Sequence, residues 1–115
     1  MDSPAEYKAP GALVVRMPRG IRSKEKLLMI LADKLRLPGY FGGNWDALED
    51  SLRDLTWLPA KQAVIIVHED LPFGAGGENR GIYLAILHEA AMHWAAMQER
   101  TFHVVMAESL RARLQ

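Results

Sequence analysis

Hydrophobic and polar positions fall into blocks along this chain, and the period of the pattern changes from block to block. Residues 12–17 (Ala-Leu-Val-Val-Arg-Met) form a short β-branched run, which predicts a strand ended by Pro18 and Gly20. Leu27, Leu28, Leu31 and Leu35 then recur at helical spacing behind Ser23, a good N-cap. Leu37-Pro38-Gly39 breaks that helix, since proline cannot continue it. Gly42 and Gly43 lead to Asn44, a second strong N-cap, and residues 45–56 read as an amphipathic helix closed by Pro59. On one face lie Leu48, Leu52 and Leu55, with Trp45 at the edge. On the other lie Asp46, Glu49, Asp50 and Asp54 around Arg53. Residues 63–67 (Ala-Val-Ile-Ile-Val) are continuously apolar, as in a strand buried on both faces. A glycine-rich loop, residues 73–77, precedes a third helix. Asn79 is its predicted cap, and its stripe is Tyr83, Ile86, Leu87, Ala90, Trp94 and Met97. Residues 101–106 form the last strand.

The resulting order is β-α-α-β-α-β, and strands separated by helices favour a parallel sheet with right-handed crossovers. The expected fold is therefore an α/β domain, a three-stranded parallel sheet with helices packed against it. Residues 1–11 read as a tail, 12–107 as the domain and 108–115 as a C-terminal extension.

Composition narrows the function. With 115 residues the chain is long enough for one domain with a real core. The absence of cysteine excludes a disulfide framework, thiolate metal ligands and a cysteine nucleophile, and fits a reducing, cytoplasmic setting. No basic leader with an apolar run opens the chain, and no apolar stretch approaches the ~20 residues of a membrane span. Fourteen basic and fourteen acidic residues balance, unlike the basic excess of a general nucleic-acid binder. The balance hides an asymmetry. Residues 44–54 carry four acids and one base, whereas residues 1–43 carry eight bases and four acids.

Candidate chemistry is sparse. Gly74-Ala-Gly-Gly77 lacks the Lys-Ser/Thr pair of a phosphate loop, and Glu78 would repel phosphate. His88 and His93 are five apart, not the four that align two ligands on a helix. They and His68 and His103 read as surface or satisfied core histidines. No serine sits in a nucleophile elbow. These absences argue against an enzyme, and no cofactor or metal is expected. The acidic helix has more content. Asp46 and Asp50, four apart, stand on one face and repel each other, at a cost of about 0.2–0.5 kcal/mol. Three readings of that face stay open: a solvated helix surface, a carboxylate pair for acid–base chemistry, and a convex interface that imitates polyphosphate toward a basic cleft.

The run Leu35-Arg-Leu-Pro38-Gly-Tyr40-Phe41-Gly42-Gly-Asn44-Trp-Asp46-Ala47-Leu48-Glu-Asp50-Ser-Leu52 resembles the signature of the barstar family, intracellular inhibitors of the bacterial ribonuclease barnase. The family pattern is Leu-Pro, two aromatics, Gly, one residue, Asn, one residue, Asp-Ala-Leu, one residue, Asp. Element order matches over roughly residues 12–106.

The resemblance implies that the second helix and its preceding loop enter a ribonuclease active site. On that basis Asp50 takes the position of the substrate phosphate, Asp46 is a second acidic contact, and Tyr40 packs against the catalytic region. Asn44 and Ala47 are neighbouring contacts. Glu49 stands where the family has an interface tryptophan, and Arg53 where it has a small hydroxyl residue. A further acidic contact of the family, late in its third helix, falls near Trp94, where this chain has no acid. The implied function is an immunity protein that neutralises a barnase-type or other small basic ribonuclease toxin and is monomeric when free. A regulatory domain binding another basic protein on the same scaffold is the alternative.

Overall fold

The structure is a computed structural model that describes residues 11–38, 43–73 and 77–106. The predicted tails therefore lie, but for Gly11, outside the described residues, as do Tyr40, Phe41, Gly42 and residues 74–76. The observed order is β1 (Leu13–Met17), α1 (Lys24–Lys34), α2 (Trp45–Asp54), β2 (Val64–His68), α3 (Asn79–Met97) and β3 (Phe102–Met106). The sheet has the order β1-β2-β3 and is parallel throughout. Val64 pairs with Leu13 on one side and Phe102 on the other, and the register runs without a slip to His68. The continuous apolar run at β2 has its expected consequence: all five residues are buried, as befits a central strand.

The two faces of the sheet belong to different cores. Val15, Met17, Val64, Ile66 and Phe102 join the buried residues of all three helices in one large cluster. Ile65, Val67 and Val105 form a separate cluster with Ala12 and Val14. The leucine stripe of α1 is fully buried as predicted, and Ser23 Oγ accepts the Lys26 amide at 3.1 Å to cap it.

Several boundaries differ from the sequence reading. Helix α1 ends at Lys34, and Arg36 then takes a left-handed conformation (φ 57°), so the chain turns before Pro38 arrives. Helix α2 stops at Asp54 because Leu55 itself is left-handed (φ 53°), with Pro59 too far along to be the cause. Leu55 is nonetheless wholly buried, as its place in the leucine stripe predicts. Asn79 is not the cap of α3. Glu78 holds that position in a helical conformation, with no side-chain hydrogen bond, and Asn79 is the first helical residue. Met97, expected in the buried stripe of α3, is 48% exposed. Strand β2 extends one residue further, so His68 is a sheet residue.

Candidate protein-binding face

Helix α2 is where the sequence concentrates its charge, and its local chemistry fixes how that charge is presented. Gly43 has φ 69°, a conformation that suits glycine, and delivers the chain into an extended Asn44. Asn44 Oδ1 accepts the Ala47 amide at 2.7 Å, so the first turn starts at a defined place. Asp46 lies in that turn, where the helix dipole favours a carboxylate, and Arg53 lies in the last turn, where it favours a cation. Leu48 and Leu52 are wholly buried beneath the helix. Each such leucine contributes on the order of 1.5–3 kcal/mol, enough to hold the face outward.

The predicted partner-binding residues fall as follows. Asn44, Asp46, Asp50 and Arg53 are exposed, and Ala47 and Glu49 are half-buried. The Asp50 side chain is 79% exposed. Arg53 Nη2 reaches Asp50 Oδ1 at 3.3 Å and Glu49 Oε1 at 3.7 Å, so the base sits between two acids one turn back. Solvent-exposed pairs of this spacing contribute about 0.3–0.5 kcal/mol, which roughly offsets the repulsion between Asp46 and Asp50. Tyr40, the remaining predicted contact, lies outside the described residues.

Other elements anchor α2, and sequence reasoning did not find them. Trp45 stands edge-on to Phe73 (centroids 6.2 Å apart), tilts against Tyr83 (6.4 Å) and receives the Lys24 ammonium over its ring at 5.6 Å. One indole thus ties the start of α2 to α1, α3 and the β2–α3 connection. Phe73 meets it from a left-handed conformation (φ 71°), with its amide donating to Ile21 O at 2.8 Å. At the other end, Trp94 Nε1 donates to Leu52 O at 2.7 Å. Arg100 donates from Nη2 to Leu55 O and from Nη1 to Gln62 O, and packs against the Trp94 ring. Only the apolar character of Trp45 and Trp94 is a sequence signal for these contacts; Arg100 offers none.

Beneath Trp45, His68 Nε2 and the Tyr83 hydroxyl share a buried hydrogen bond of 2.8 Å. His68 is a core histidine as expected, but only its Nε2 is satisfied, and His88 and His103 are exposed. Burial pushes the His68 pKa down to about 4, offset in part by the Val105 backbone, to which Nδ1 makes no well-formed hydrogen bond. Burial also raises the Tyr83 pKa, so the ring pair is neutral.

Two cavities of about 430 and 410 Å³ meet around Trp94 and Arg100, beyond the C-terminal end of α2. Neither is lined by Asp46 or Asp50. Among the described residues no group of three His, Asp or Glu side chains is placed to hold a metal ion. No helix of the described residues is long and apolar enough to cross a membrane.

A parallel three-stranded sheet carrying a capped acidic helix is the architecture the signature implied, and the family match agrees. The family model described as barstar, the barnase inhibitor, matches residues 13–107. The chain belongs to the barstar family. No curated protein matches it.

Proposed function

We propose that this protein is an inhibitor of a barnase-type ribonuclease, acting as an immunity protein that covers the enzyme's active site with α2 and the loop before it. It works without chemistry of its own. Its carboxylates occupy positions that the enzyme prepares for substrate phosphates. The observation that carries the reading is the presentation of Asp50. Its carboxylate is 79% exposed on a helix fixed by a side-chain cap in front and fully buried leucines below. A charge held this way loses little conformational freedom on binding, so more of the interaction with a basic cleft appears as affinity. The surrounding acids speed encounter through their long-range field.

The test pairs the protein with a barnase-type ribonuclease and measures RNA cleavage, binding and thermal melting for wild type and Asp50→Ala. Removing the carboxylate leaves the enzyme's cations unpaired in the contact, at a cost of at least about 2 kcal/mol. In the free protein the change relieves repulsion from Asp46 but also removes the Arg53 pair, so stability should move by less than about 0.5 kcal/mol. Loss of inhibition at retained stability marks an interface. Equal inhibition by both forms would show that α2 is not the blocking element. Association should also slow steeply with added salt.

A further inference from the structure

Arg53 is a cation set within the acidic face. Asp46, Asp50 and Arg53 lie at helix spacings of four and three, which aligns them along one stripe. Arg53 Nη2 is 3.3 Å from Asp50 Oδ1, so a surface that covers Asp50 covers Arg53 as well. A basic cleft that pairs only with Asp50 would press its own cations against this guanidinium. That contact is unfavourable unless the cleft also offers an anion. The guanidinium is ready to take one. Among the described residues only Nη2 is engaged, by two weak surface pairs, and the side chain is 43% exposed. Its planar fork of donors matches a carboxylate bidentately. A ribonuclease whose general base is a carboxylate would place such a group within reach of the cations that hold the phosphate, since base and phosphate meet at the same reacting centre.

We propose that Arg53 is a specificity residue of this face: on binding it leaves Glu49 and Asp50 and pairs with a carboxylate that lies beside the target's phosphate-binding cations. The inference rests on the inhibitor reading and adds a demand to it. The target cleft must be mixed in charge, and a purely cationic cleft is disfavoured.

The experiment is a double-mutant cycle. Wild type, Arg53→Ala and Asp50→Ala are each titrated against a barnase-type ribonuclease and against the same enzyme with its catalytic carboxylate changed to the amide. Circular dichroism confirms that each variant is folded. Arg53→Ala should weaken binding to the unaltered enzyme by roughly tenfold or more. It should have little effect on binding to the amide enzyme, because the partner of the guanidinium is already gone. Binding that tightens or stays level on Arg53→Ala would overturn the proposal and leave Arg53 as a local counter-ion. Equal weakening against both enzymes would overturn it too. If Asp50→Ala abolishes binding while Arg53→Ala leaves it unchanged, the specificity role fails and the inhibitor reading stands. If Asp50→Ala binds as well as wild type, or wild type does not bind, the inhibitor reading has failed and this inference with it.

Discussion

Asn44 and His68 show how much a single side chain decides here. Asn44 Oδ1 satisfies an amide that has no partner within the helix, and it sets where the acidic stripe begins. Asn44→Ala should cost about 1 kcal/mol in urea unfolding, and Asn44→Gly only a few tenths. Binding should fall in the alanine variant even where the protein stays folded, because Asp46 and Asp50 are then less firmly aimed. His68 makes stability depend on pH. Its folded pKa, about 4, lies below the ordinary imidazole value of 6.5, so the fold favours the neutral ring. That contribution is fully present above pH 6.5 and is lost as pH falls toward 4. Between pH 7 and pH 5 the loss should be about 2 kcal/mol, measured by urea unfolding at the two values. His68→Gln should flatten that window, and an unchanged slope would rule His68 out as its source. Cap and acid residues were legible in the sequence because their partners are three or four residues away. The Trp45–Phe73–Tyr83 contacts and the His68–Tyr83 bond were not, since they join residues that only the completed fold brings together.

Helix α2 was the element most fully legible, and its end was the part misread. Leucine spacing, acid spacing and an asparagine cap all agreed on its start and its faces. Its stop depends on Leu55 adopting a left-handed conformation, which no propensity for leucine anticipates. Packing accounts for it, because Leu55 is wholly buried and its carbonyl accepts from Arg100. Arg100 therefore closes α2 from a distance. Its two donors serve carbonyls of separate segments, so Arg100→Ala should destabilise the fold by about 2 kcal/mol. Arg100→Lys should recover little of it, since a single ammonium cannot span both carbonyls. Thermal melting of the two variants checks this, and full rescue by lysine would show that charge alone matters. The start of α3 was misread for the opposite reason: Asn79 has the composition of a cap, but the preceding Glu78 is already helical.

The whole molecule was predictable in order and topology, because three β-rich runs separated by helical periods leave few arrangements. The two cores were not legible, since the pattern of a doubly buried strand does not say what covers each face. One feature of the assembled molecule makes its parts separately visible. Every tryptophan sits where helical segments join: Trp45 against α1 and α3, Trp57 donating to the last turn of α1 at Leu35 O, and Trp94 donating to Leu52 O of α2. The sheet has none. Intrinsic fluorescence is therefore an optical gauge of the helical layer and the core it shares with the sheet, while far-ultraviolet dichroism reads the backbone of helices and strands together. Coincident unfolding curves would show that the layer and the sheet come apart as one unit, and an earlier fluorescence change would show the helices undocking first. Trp45 is the indole beside Asp46, so the emission should shift when a target seats on α2, with no label added.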